Sequence, residues 1–194
     1  VRVDANGGWS VAQAVAAARA LTAEGELEYL EQPCRTVAEL AEVRRLTDVP
    51  VAADESIRKA DDPLAVVRAK AADIAVLKVA PLGGVRATLD IAAQNDIPVV
   101  ISSALDSAVG IAAGLAAASA LPNLEHACGL GTGGLFVEDV VEPGFTPVGG
   151  LLPVCPVIPD PARLAGLAPS ADRRDWWIAR TRKCLGLLAD RRPG

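Results

Sequence analysis

Four charged residues stand at the ends of apolar runs and could do chemistry together. Asp4 follows Val1-Arg2-Val3, Glu31 follows Leu27-Glu28-Tyr29-Leu30, Asp54 follows Val51-Ala52-Ala53, and Lys78 follows Val76-Leu77. They are 27, 23 and 24 positions apart, about the length of one strand plus one helix. Three hard oxygen donors with neither His nor Cys suit Mg²⁺ or Mn²⁺ and not zinc. A lysine among Val, Leu and Ala is costly to bury, because desolvation disfavours its charged form. Such a residue needs a partner or a task. Beside a divalent cation that stabilises the developing negative charge of a carboxylate substrate, a lysine can move the proton α to the carboxylate. Each residue alone has a plainer reading: Asp4 as a turn residue before Asn6-Gly7, Glu31 as a strand end, Asp54 as a helix cap, Lys78 as a snorkelling surface lysine. Their shared place at strand ends favours the joint reading.

The elements that must position these groups alternate regularly. Short apolar runs are expected to be strands over 1–4, 27–31, 49–53, 74–79, 97–102 and 124–128. Between them, helices are expected from Ser10 to Ala23, Thr36 to Leu46, Asp62 to Ala71, Gly84 to Gln94 and Ser107 to Ala120. Six apolar strands alternating with five helices imply parallel βαβ units. Polar residues at successive strand C-termini point to a (β/α)₈ barrel, whose chemistry collects there, and not to an open sheet with one switch point. The fold class is therefore α/β, with six of eight barrel strands in residues 1–135. Residues 136–194 are expected to form an extended segment and two helices packing on the barrel, with Trp176 and Trp177 as packing residues.

Composition agrees with a globular domain: 194 residues, 51% hydrophobic, 22% charged, net charge −5. The arginines Arg173, Arg174, Arg180 and Arg182 are interspersed with acids, which argues against a nucleic-acid partner. The Ala108–Leu121 apolar run is too short for a membrane span. Cys34, Cys128, Cys155 and Cys184 form no C-x-x-C pair, and free thiols in a cytoplasmic protein are expected. The first residue is Val, so the chain is expected to be processed or a fragment.

Asp4-Ala5-Asn6-Gly7, Glu31-Gln32-Pro33, Ala53-Asp54-Glu55-Ser56 and Leu77-Lys78 resemble the enolase superfamily in its muconate-lactonizing subgroup. Three further stretches, 78–84, 101–107 and 126–133, resemble the actinobacterial o-succinylbenzoate synthase family of menaquinone biosynthesis. The resemblance implies an enolase-type barrel with an N-terminal capping domain, which these residues do not contain. It implies Asp4, Glu31 and Asp54 as Mg²⁺ ligands, Lys78 as the catalytic cation, and Asn6 and Glu55 as groups orienting the ligands. Ser102, Ser103, Gly129 and Gly131 would line the site of a small-molecule carboxylate. The implied reaction is Mg²⁺-dependent syn dehydration of 2-succinyl-6-hydroxy-2,4-cyclohexadiene-1-carboxylate through an enediolate. An N-acylamino acid racemase or dipeptide epimerase activity, and a non-catalytic remnant keeping only the metal site, remain alternatives. The family's proton-abstracting lysine sits in a Lys-x-Lys motif, and these residues contain none. The chain alone is thus expected to carry half of a catalytic pair and little activity.

Overall fold

Successive residues of a strand point to opposite faces, and this alternation sorts the sheet's apolar residues into two layers. In the structure, a computed structural model that describes residues 1–59 and 62–190, five parallel strands pair in chain order: β1 (Arg2–Asp4), β2 (Tyr29–Glu31), β3 (Val51–Ala53), β4 (Ile74–Lys78) and β5 (Val99–Ser102). Strand order never reverses, as required of a singly wound barrel wall and unlike a doubly wound sheet. Leu30, Val51, Ala53, Ala75, Leu77, Val99 and Ile101 belong to clusters that include helix residues. Tyr29, Ala52, Ile74, Val76 and Val100 form a separate cluster on the opposite face, the inside of the curled sheet. Both faces are buried, which is why the strands read as nearly unbroken apolar runs.

The helices follow their capping signals. Helix α1 (Val11–Glu24) starts with a reciprocal Ser10–Gln13 capping box, and α2 (Val37–Leu46) with the same device at Thr36 and Glu39. Leu40 and Val43 of α2 are fully buried against the sheet, worth about 1.5–3 kcal/mol each. Two short helices went unexpected: α3 (Glu55–Arg58), directly after β3, and, beyond α4 (Ala65–Arg68), α5 (Val79–Leu82), directly after β4. Four residues are too few to display a helical period. Helix α5 ends at Gly83 and Gly84, whose φ values of 96° and 116° are accessible mainly to glycine. Helices α6 (Val85–Ala92) and α7 (Ala108–Ser119) flank β5.

The sixth expected strand, 124–128, is reduced to a single parallel bridge between Ser102 and Gly129. Polar side chains account for the loss. His126 Nδ1 lies 2.7 Å from Glu28 Oε1, and Arg2 Nη1 donates to the Ala127 carbonyl at 2.7 Å. The chain direction nevertheless continues the order of the sheet. A 3₁₀ turn (Thr132–Leu135) follows.

The described residues divide into two compact units, one ending at Ile158 and the other beginning at Pro159. The second unit consists of α8 (Pro161–Gly166) and α9 (Ala171–Asp190). Within it, Trp176 and Trp177 meet edge to face with centroids 4.7 Å apart, and Arg173 lies over Trp176. Among the described residues, no helix is long and apolar enough to cross a membrane.

Candidate active site

Side-chain alternation decides which strand ends share a space. Asp4 lies two residues after Arg2, Glu31 two after Tyr29, Asp54 two after Ala52, Lys78 two after Val76, and Ser102 two after Val100. Every one of these predecessors faces the inside of the sheet, since Arg2 stacks on the Tyr29 ring at 4.7 Å and the others belong to the inner cluster. Parity therefore carries the four charged groups and Ser102 to the inner face, at the C-terminal ends of their strands. Registry brings them level: Asp4 pairs with Glu31, and Lys78 with Ser102.

The contacts agree. Lys78 Nζ donates to Asp54 Oδ2 at 2.6 Å across two neighbouring strands. Asp54 is fully buried, and Arg58 Nε donates to its other oxygen at 2.8 Å. The one turn of α3 places Arg58 so that its Nη2 also donates to Glu55 Oε1 at 2.6 Å. Glu55 Oε2 is buried with no hydrogen-bond partner among the described residues. Asp4 accepts the backbone N–H of Asn6 at 2.8 Å, and Asn6 turns with φ 48°. Asn6 thus acts on Asp4 through its main chain.

Electrostatics show how close these groups stand. Burial, then the carboxylates of Asp4, Asp54 and Glu55, push Glu31 up to about 7, with Lys78 opposing. Burial raises Asp4 as well, against the Asn6 hydrogen bond, with Glu55 and Asp54 adding to the rise. Four carboxylates here face two cations, Lys78 and Arg58. Among the described residues, no three His, Cys, Asp or Glu side chains are already gathered into a set that would hold a metal ion. Asp54 spends both oxygens on Lys78 and Arg58. The donor chemistry nonetheless fits a hard divalent cation: the set is all oxygen, its negative charge is under-compensated, and one buried carboxylate oxygen lacks a donor.

Ser102, Ser103 and Gly129 form a tied corner. Ser102 Oγ donates to the Gly129 carbonyl at 3.3 Å and Ser103 Oγ at 2.9 Å, and the Ser103 hydroxyl also pairs with Thr132 Oγ1 at 2.8 Å. Ser103 is buried, so its hydroxyl is engaged within the protein. A Cβ on Gly129 would stand 2.7 Å from Ser102 Oγ, so any larger residue there would displace the Ser102 side chain. Gly131 is exposed, with Pro147 Cγ 3.7 Å from where its Cβ would stand. Arg58 was not anticipated. Its only signal was its spacing of four and three residues after Asp54 and Glu55, which carries meaning once that segment is helical.

Comparison with known proteins adds lineage to this geometry. Residues 1–167 match the enolase C-terminal domain-like family. The chain belongs to that family. Enolase-type relatives include the o-succinylbenzoate synthase of Mycobacterium tuberculosis, 73% identical over 188 residues, and that of Mycobacterium marinum, 74% identical over the same length. These alignments cover 97% of this chain but 57% of each relative, so the chain spans little more than half their length. Among solved enolase-type structures, muconate lactonizing enzyme from Pseudomonas fluorescens superposes with a TM-score of 0.77 at 30% identity, over 86% of this chain and 47% of that one. The L-Ala-D/L-Glu epimerase of Bacillus subtilis gives 0.71 at 28% identity, over 78% and 44%.

Proposed function

We propose that this chain forms most of the barrel of a cytoplasmic, Mg²⁺-dependent o-succinylbenzoate synthase, a dehydratase of menaquinone biosynthesis. The observation that carries the reading is 73% identity, over 97% of the chain, to a protein of that name. The charged cluster supports it. Asp4, Glu31 and Asp54 would hold the metal, with Arg58 steadying Asp54 and Glu55 from behind. A bound Mg²⁺ would supply fixed positive charge for the substrate carboxylate. A base takes the α proton, the electron pair left behind forms the new ring double bond as the C–O bond breaks, and the proton passes to the departing hydroxyl so that it leaves as water. Negative charge grows on the substrate carboxylate along the way. Lys78, on the inner face beside Asp54, would balance it with its ammonium group. Ser102, next in register, would lie along the same wall.

The test is the Mg²⁺-dependent disappearance of the substrate's diene absorbance in the full-length protein. Lys78→Ala should lower kcat by about 10²–10³-fold. Undiminished turnover in excess EDTA would overturn the metal assignment. The resemblance to L-Ala-D/L-Glu epimerase makes dipeptide epimerisation the competing activity. Epimerisation by the same preparation, without dehydration, would replace the first reading with the second.

A further inference from the structure

Gln32 follows the second carboxylate and has been given no task, yet it is the most heavily bonded polar side chain near the cluster. It is fully buried, and its φ of 37° lies in the left-handed region that a non-glycine residue enters only under constraint. All four hydrogen-bonding positions of its amide are used. Nε2 donates to the Cys34 carbonyl at 2.9 Å and to Ser56 Oγ at 2.7 Å. Oε1 accepts from the backbone N–H of Asp54 at 3.0 Å and of Ser56 at 3.2 Å. Two main-chain N–H groups converge on that oxygen, so the orientation of the amide is unambiguous. The backbone of Gln32 extends the linkage: its N–H donates to the Ala52 carbonyl at 2.8 Å, and its carbonyl accepts from Gly7 N–H at 2.7 Å.

These six bonds reach three separate loops. One carries Asp4 and turns at Gly7, one carries Glu31, and one begins at Asp54. We propose that Gln32 is a positioning residue which locks those loops together, so that the three carboxylates meet a metal ion in one fixed arrangement. This rests on the reading of Asp4, Glu31 and Asp54 as metal ligands. A glutamate of the same shape could still accept from Asp54 and Ser56. Its second oxygen would meet the Cys34 carbonyl with no proton to offer, acceptor against acceptor.

The full-length protein titrated with Mn²⁺ alone provides the test, read by affinity and by the electron paramagnetic resonance spectrum of the bound ion. Gln32→Glu should weaken Mn²⁺ binding about 10–100-fold, in the manner of groups that orient ligands, and should alter the spectrum. Ile111→Ala, a fully buried core substitution on α7, outside the three loops, should lower thermal stability and leave both readouts unchanged. A folded Gln32→Glu protein with wild-type affinity and spectrum would overturn the proposal. Should Gln32→Glu not fold, Ser56→Ala decides: it removes one acceptor of the amide, weaker Mn²⁺ binding supports the lock, and unchanged binding overturns it. If wild type binds no Mn²⁺, or Asp54→Asn binds it as well as wild type does, the ligand assignment itself fails and the proposal goes with it.

Discussion

Two polar clusters flank the apolar layer inside this sheet, and they are built on opposite terms. At the N-terminal ends of the strands, Arg2 grips Glu28 with two hydrogen bonds of 2.8 and 2.9 Å, His126 takes the same carboxylate, and the Tyr29 ring lies under Arg2 and meets His126 edge to face. Glu28 is held down at about 2, chiefly by the Arg2 hydrogen bond and then by that of His126. At the C-terminal ends, Glu31 is pushed up to about 7 by burial and by neighbours of its own sign. The same residue type, three positions apart, is satisfied at one end and crowded at the other. A cluster complete in itself fastens structure, whereas one with surplus charge is arranged for something that arrives later.

Substitutions at the two ends should separate accordingly. The largest effect is expected from Asp54→Asn, which removes one of the proposed metal ligands and unbalances Lys78 and Arg58. Turnover should fall by more than about 100-fold, beyond what loss of a supporting group usually costs, and Mn²⁺ affinity should fall with it. Glu31→Gln should move stability and activity in opposite directions. Relief of like-charge crowding should stabilise the metal-free protein by on the order of 1 kcal/mol, seen as a higher Tm in EDTA, while dehydration is lost. A lower Tm would mean that the cluster is internally balanced after all.

The smallest effect is expected from Glu28→Gln. The pair is partly exposed, so the loss should be below about 1 kcal/mol, with activity retained. Its pH dependence is specific. A carboxylate with a depressed folded-state pKa contributes stability above its unfolded value, near 4.5, and loses it as pH falls towards about 2. The Tm difference between wild type and Glu28→Gln should therefore be full at pH 6 and vanish near pH 2. A difference that persists at pH 2 would assign Glu28 a packing role instead.

Much of the mouth was readable because strand parity and strand-end position are both written in the primary structure. Val76 and Lys78, or Ala52 and Asp54, declare a common face once the runs around them are taken as strands. The four-residue helices α3 and α5 were not readable, and with α3 went Arg58, whose reach to Asp54 and Glu55 exists only after that turn is wound. The sixth strand failed for a related reason. Leu124 to Cys128 has the composition of a strand end, but His126 and the Ala127 carbonyl are claimed by Glu28 and Arg2 from across the sheet. The bonds of Gln32 span up to 25 residues, the separation of Gly7 and Gln32, and no local pattern announces them.

The staves bearing Asp4, Glu31 and Asp54 are each built on only three residues in ladder. Loss or gain of a single codon there would rotate the acidic group from the lumen into the helix layer, because side-chain address flips with every step. The helices leading back to the next stave have no such strictness, and their connections can lengthen or shorten while the chemistry stays aimed. Drift in this lineage should accordingly collect in the return segments and leave the tripeptides at constant length.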